Sequence, residues 1–577
     1  LDAWAADYGG ERGLVRKHFF FEKKKQKTFI HWTERLRQSG AKLQKFFGSF
    51  FQKRTLLFLC LATAAAAPVT DGLRDLSDLS ADLASGHTTS AELVGFYLDR
   101  IEKIDRSGPT LRSVLAENPD ALADAKALDA ERAATGSRGP LHGIPILVKD
   151  NIETLDPLPT TAGSMALLAN MSGRDAPIVS RLRAAGAVIL GKTNLSEWAN
   201  MRGSRSVSGW SGVGGLTRNP YALDRSPCGS SSGSGAAVAA GLAAAAIGTE
   251  TDGSITCPAS VNGIVGFKPT LGLLSRTHIV PLAHSQDTPG PMARSVRDAA
   301  MLLTVMAGSD GLDSATLQAD RHVTDFTKAL DVRALEGKRI GVMRFEAGFH
   351  PETDAVFAHA LEVLRAAGAT LVEIPYLQGV DAIGDAETLV LTTELKADLG
   401  AYLAGTPKAV ASRSLADLIG FNLAHRDREL AVFGQELFEK AEATRGLEDP
   451  AYLAALATSR RLAGVEGIDH MLAGAKLDAL VAPTAGPAWV VDTVNGDHPS
   501  GQTSTLPAVA GYPHLSVPMG AVFGLPVGLS IIGPAWSDAR VLAYGYAFEQ
   551  RLGLHQAPGF AASLPANAAL LAPLKFP

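Results

Sequence analysis

Cysteine is scarce in this chain of 577 residues: there are three, Cys60, Cys228 and Cys257. That is too few for a disulfide-framed scaffold or a cysteine-rich zinc module. Aromatic residues are also few, at 6%. The 14 histidines include no H-E-x-x-H or comparable ligand spacing, so no metal site is expected. Excess positive charge is missing too. The formal net charge of −5 excludes a general nucleic-acid binder. What remains is a globular composition, 46% apolar and 20% charged, with ample chain to bury a large core. The 58 glycines suit a fold with many turns and close small-residue contacts.

The charge is unevenly spread. Residues 1–54 hold 13 Lys and Arg against 5 Asp and Glu. This stretch reads as a basic extension, either flanking sequence or a disordered arm, and no function is assigned to it. Lys53-Arg54 then leads into TLLFLCLATAAAAP, residues 55–68. A positive region, a short apolar run and small residues at Ala64-Ala65-Ala66 form the pattern of a cleaved signal peptide over 55–67. The run is shorter than the ~20 residues a membrane span needs. Residues preceding Cys60 are too bulky for a lipoprotein cleavage site. A periplasmic or secreted location follows as the expectation, with the cytoplasm as the alternative.

From residue 70 to 560 there is no repeat and no long linker, so one large catalytic domain is expected, followed by a tail at 561–577. Thr89-x-x-Glu92 reads as a capping box opening a helix. LHGIPILVKD (141–150) reads as a buried strand ending in a turn. APIVSRLRAA (176–185) reads as a helix closed by Gly186 and followed by a strand. GAAVAAGLAAAAIG (235–248) is apolar all round and reads as a buried helix. Strands and helices alternate and the strands are continuously apolar. The fold class is therefore α/β, a mixed and mostly parallel central sheet covered by helices, with a more helical portion near 380–470.

Three segments carry chemistry. RSPCGSSSGSGAAVAAG (225–241) is a Gly/Ser-rich loop running into an apolar helix, which a flexible linker would not do. It lacks the Gly-Lys-Ser/Thr of a phosphate loop, and Val238 breaks a dinucleotide fingerprint. In GTETDGSITCP (248–258), Gly253 before Ser254 allows a tight turn in which backbone N–H groups converge on an oxyanion. Lys149 ends an apolar strand. It is either a paired structural charge or a base whose pKa burial has lowered.

Taken with GKTNLSEWA, GFKPT, DTPGPMARSVRD, DALVAPT and GYPHLSVPMG, these segments resemble the amidase signature family over residues 85–555. The resemblance implies an α/β/α fold, no cofactor and a Ser–cis-Ser–Lys triad. Carried over by position, Ser254 is the nucleophile, Ser230 the bridging serine after a cis bond from Gly229, and Lys149 the base. The backbone of Thr251, Asp252, Gly253 and Ser254 forms the oxyanion hole, and Ser231 supports the loop. Asp287 and Arg294 are expected in structural ion pairs. Gly229-Ser230-Ser231-Ser232-Gly233 also satisfies G-x-S-x-G, which would make Ser231 the nucleophile of a Ser-His-Asp hydrolase. That reading leaves Lys149 and GTETDGSITCP unexplained.

Within the family the chain most resembles the peptide amidases, which remove the C-terminal amide from peptides. PCGSSSGSG, Asp252 and Thr256 replace commoner family residues, and Thr256 in place of an Arg suits a neutral carboxamide. The stretch 197–221 is expected to line the site. The implied partner is a small peptide-amide substrate, acted on by a monomer, with no nucleic acid and no membrane span. The alternatives are a general aliphatic or aryl amidase, and the glutamine-hydrolysing subunit of a tRNA-dependent amidotransferase. Cys228 and Cys257 flank the two serines, and free thiols are expected there.

Overall fold

Thr89 caps the helix Ser90–Arg100 as a full capping box, its hydroxyl accepting from the Glu92 N–H while the Glu92 carboxylate takes the Thr89 N–H. The computed structural model describes residues 72–554 and 556–565. The basic extension at 1–54 and the leader at 55–67 lie outside the described residues, and the tail is described to residue 565.

Eleven strands form one sheet. In spatial order they are Val114–Glu117, Val188–Thr193, Pro145–Lys149, Ala245–Glu250, Thr288–Ala293, Val265–Lys268, His514–Val522, Leu525–Ile532, Ala479–Pro483, Arg339–Met343 and Thr370–Ile374. The mixed sheet is as expected. Parallel pairings form two blocks. Pro145–Lys149 runs parallel to both neighbours, and Arg339–Met343 does the same near the far edge. Five successive pairings between these blocks are antiparallel. Part of the reason is local. His514–Val522 and Leu525–Ile532 are joined by Phe523 and Gly524, both at positive φ, a two-residue hairpin turn that can only reverse the chain.

The Ala-rich segment departs from the expected helix over 235–248. Its helix spans Ser232–Ala239 and ends at Gly241, φ +66. Residues Ala245–Glu250 are instead a fully buried strand between Pro145–Lys149 and Thr288–Ala293. A Cβ at Gly241 would lie 2.6 Å from the Gly72 carbonyl oxygen, so the chain turns where only glycine fits. Small side chains then serve a strand packed on both faces. The turn places the N-terminus of the helix and the C-terminal end of the strand beside Lys149. Helices over 383–474, beginning with Ile383–Ala404, form the expected helical portion. Among the described residues no helix is long and apolar enough to cross a membrane.

Candidate active site

Lys149 ends its strand completely buried. Its Nζ lies 2.7 Å from Ser230 Oγ, 2.8 Å from Thr249 Oγ1 and 3.2 Å from the Thr249 carbonyl oxygen. Asn151 Nδ2 donates to the same Thr249 hydroxyl, at 3.0 Å. Removal from water disfavours the ammonium and brings the Lys149 pKa down to about 7, against the opposing negative charges of Asp287 and Glu250. A neutral amine has two N–H donors and one lone pair. Two oxygens of Thr249 can take the donors, leaving the lone pair for the Ser230 hydroxyl.

Ser230 follows a cis peptide from Gly229. A Cβ on Gly229 would fall 2.1 Å from Ser196 Oγ, so the loop approaches its neighbour at a distance only glycine permits. The Ser230 carbonyl accepts the Ser196 N–H at 3.0 Å. Ser231 is wholly engaged: its hydroxyl donates to the Thr249 carbonyl at 3.0 Å and accepts the Thr249 N–H at 3.2 Å. Its own N–H donates to the Ser254 carbonyl at 3.0 Å, tying the two serine loops together. A side chain held this way supports the loop and is not presented as a nucleophile, which removes the G-x-S-x-G reading.

Ser254 is 6% exposed and opens on a cavity of about 230 Å³ shared with Gly229, Thr251, Asp252, Trp489 and Gln502. Gly253 has φ +74, the left-handed turn expected just before the serine. Buried Glu250 braces the far side of the turn, accepting the N–H groups of Ile255 and Thr256 at 2.7 and 2.9 Å. Thr251 is fixed through its hydroxyl, which donates to Asp287 at 2.7 Å. A second cavity of about 250 Å³ adjoins, lined by Asn151, Thr249, Thr251, Asp287 and an apolar wall that includes Trp198 and Leu282. Thr251, Leu282 and Ala199 line both cavities. From the stretch 197–221, expected to line the site, Trp198, Ala199, Asn200, Met201 and Ser208 line one or both.

Several expectations change. Cys228 and Cys257 are joined in a disulfide with a Cα–Cα distance of 6.0 Å, not free thiols. Nearness in space, which sequence does not give, decided it: the two loops are drawn together behind the serines. Thr256 is fully buried and donates to Glu250 at 3.2 Å. It therefore does not meet substrate, because the short helix it begins turns inward. Of the two residues expected in structural ion pairs, Arg294 makes one and Asp287 makes hydrogen bonds instead. Arg294 lies 3.8 Å from Asp75. Asp287 accepts from Thr251 and from the N–H groups of Leu282 and Ala283, and burial pushes its pKa up to about 6. No role was expected for Thr249, which lies inside the 248–258 segment, or for Asn151, which directly follows the 141–150 strand segment.

For metal ligation, His284, Glu394 and Asp398 bring three ligand-type atoms within 4.8 Å of one another at the outer rim. These atoms are already engaged. His284 contacts Asp398 at 2.9 Å, while Glu394 accepts the Tyr452 hydroxyl at 2.8 Å and the Ser285 N–H at 2.9 Å.

A family model described as Amidase matches residues 92–542. The native peptide amidase from Stenotrophomonas maltophilia is similar in structure, with a TM-score of 0.80 and 52% identity over 84% of this chain and 98% of that one. A probable amidase of Arabidopsis thaliana is 38% identical over 497 residues, 84% of this chain and 91% of the relative. A glutamyl-tRNA(Gln) amidotransferase subunit from Roseiflexus sp. (strain RS-1) is 37% identical over 507 residues, 83% of this chain and 96% of the relative.

Proposed function

Since the chain belongs to the amidase family and is an amide-hydrolysing enzyme, we propose that it removes the C-terminal amide of peptides, with Lys149, Ser230 and Ser254 carrying the reaction. The observation behind this reading is the 2.7 Å approach of a desolvated Lys149 amine to the Ser230 hydroxyl. The 52% identity to a peptide amidase supports the substrate class.

In this mechanism the neutral Lys149 amine takes the Ser230 proton as Ser230 takes that of Ser254. Ser254 Oγ attacks the carboxamide carbon, and the N–H groups of the Thr251–Ser254 turn stabilise the oxyanion. Collapse breaks the C–N bond. The proton held on Lys149 returns through Ser230 to the nitrogen, and ammonia leaves an acyl-Ser254 ester. Water, deprotonated along the same path, attacks the ester and restores Ser254 with release of the acid. Every proton taken is returned, so no redox partner or cofactor enters.

An extracytoplasmic setting is proposed with this activity, on the leader pattern at 55–67. N-terminal sequencing of exported protein beginning at Ala67 would support it.

One assay tests the substrate. Purified protein is offered N-blocked dipeptide amides, free amino-acid amides, an aryl amide and glutamine, with ammonia measured and Ser254→Ala as control. Release from dipeptide amides is expected. Turnover confined to glutamine would favour the amidotransferase reading, for which the 37% identity to an amidotransferase component is the supporting observation. Broad turnover of simple amides would favour a general amidase.

A further inference from the structure

Strand Ala245–Glu250 pairs antiparallel with Thr288–Ala293, Glu250 opposite Thr288. The residues flanking these strand ends therefore meet: Thr251 on one side, Gln286 and Asp287 on the other. Both of the latter side chains grip Thr251. Asp287 takes its hydroxyl at 2.7 Å, and Gln286 Nε2 donates to its carbonyl oxygen at 3.2 Å. The same Nε2 donates to Glu387 Oε1 at 2.8 Å. A carboxamide nitrogen has two N–H donors, and each has an acceptor here. A carbonyl can only accept, so the amide nitrogen of Gln286, not its oxygen, faces Thr251. Gln286 is 3% exposed. Its loop is fastened to the helix Ile383–Ala404 at successive residues. The His284 N–H donates to Asp398 at 2.8 Å, the Ser285 N–H to Glu394 at 2.9 Å, and Gln286 to Glu387. The spacing of Glu387, Glu394 and Asp398 sets all three on one face of that helix.

The carbonyl that Gln286 holds belongs to the peptide unit joining Thr251 to Asp252. That unit is trans, so its C=O and N–H point in opposite directions. Fixing the carbonyl toward Gln286 fixes the Asp252 N–H toward the other side of the turn. Among the described residues nothing accepts that N–H. A hydrogen bond at the carbonyl also polarises the N–H of the same unit and strengthens it as a donor. We propose that Gln286 positions the Asp252 N–H as an oxyanion donor in the Ser254 reaction, with Glu387 holding Gln286 in place. Gln286 is a positioning residue: it acts on the peptide plane and exchanges no proton, so the balance of the reaction is unchanged. The inference rests on the reading of Ser254 as nucleophile and of the Thr251–Ser254 turn as the oxyanion hole.

The grip of Asp287 does not do this work. It holds the Thr251 side chain, whereas the peptide plane turns about the bonds to its two flanking Cα atoms and can rotate with that side chain still in place. The contact from Gln286 stops the rotation. Its effect belongs to the transition state. The substrate oxygen gains its charge only as Ser254 attacks, so a donor aimed at the oxyanion acts on kcat and not on KM.

The test compares the unsubstituted enzyme with Gln286→Met, which keeps the length and removes both donors, and Gln286→Glu, which turns an acceptor toward the carbonyl. Three quantities are measured: kcat and KM on an N-blocked dipeptide amide, the rate constant for labelling of Ser254 by a simple alkyl phosphonofluoridate, and the final extent of that labelling. In labelling, Ser254 Oγ bonds to phosphorus, fluoride leaves with the serine proton as hydrogen fluoride, and the phosphoryl oxygen takes the oxyanion position. No peptide recognition is needed, so the inference is read even if the peptide-amide reading fails. Both variants should lower kcat between about tenfold and 10²-fold, the scale of a small misplacement of catalytic groups, and lower the labelling rate constant by a similar factor. KM should stay within about threefold, and labelling should still run to completion. A residue that only stabilised the fold would lower the final extent and leave the rate constant alone. That result would overturn the inference, as would an unchanged kcat, or a fall in kcat with the labelling rate unmoved. Gln286→Glu covers failure of Gln286→Met to fold. Absence of label on Ser254 in the unsubstituted enzyme would instead overturn the catalytic reading, and the inference with it.

Discussion

Cys228 and Cys257 are bonded to each other with their Cα atoms 6.0 Å apart, one residue before the cis peptide and three residues after Ser254. The link closes a loop across 29 positions and is buried at both ends, at 4% and 0% exposure. Cross-linking a loop of that length stabilises by about 3.5 kcal/mol in the chain-entropy model. Cys228→Ser with Cys257→Ser should lower stability by about that amount in a denaturant titration. Thiol titration of denatured, unreduced protein should find neither cysteine free, and both only after reduction. A free thiol at Cys228 or Cys257 before reduction would refute the bond.

The Lys149 pKa near 7 fixes an acid limb. The amine must be neutral to take the Ser230 proton, so kcat/KM should rise with pH through about 7 and then level. Stability follows the same sign. The folded pKa lies below the unfolded value of 10.5, so the folded protein binds fewer protons between about 7 and 10.5. This group's contribution therefore grows as pH rises through that window and is lost as pH falls through about 7. A pH–rate profile with no limb between pH 6 and 8 would contradict the assignment of Lys149 as base.

Asp287 both fixes Thr251 and places a negative charge that raises the Lys149 pKa. Asp287→Asn removes the charge and keeps one acceptor oxygen. The acid limb should then move toward lower pH, by about one pH unit, while kcat drops because the Leu282 and Ala283 N–H groups lose their carboxylate acceptor. An unmoved limb with lower kcat would reduce Asp287 to a purely structural part.

Ser254, Lys149 and Ser231 should separate by magnitude. Ser254→Ala should cost about 10⁶ in kcat, as loss of a nucleophile does elsewhere. Lys149→Ala should cost about 10²–10⁴, the range for a general base. Ser231→Ala leaves the buried Thr249 N–H without its acceptor, for about 1–3 kcal/mol of stability, and should keep measurable turnover. Activity abolished in Ser231→Ala but intact in Lys149→Ala would restore the rejected nucleophile-elbow reading.

The local rules of the chain were enough for much of this protein. Thr89 and Glu92 announce a helix start, Gly186 a helix end, and the apolar run into Lys149 a buried strand, because capping and periodicity act over a few residues. The family, with its long motifs in order, was legible as well. Residues 243–248 were not, since an alanine run has no periodicity to distinguish a helix from a strand buried on both faces. The meeting of Cys228 with Cys257 and the inward turn of Thr256 were also undetermined by sequence. Those depend on how the two serine loops are laid side by side, which the assembled sheet decides and local sequence rules do not.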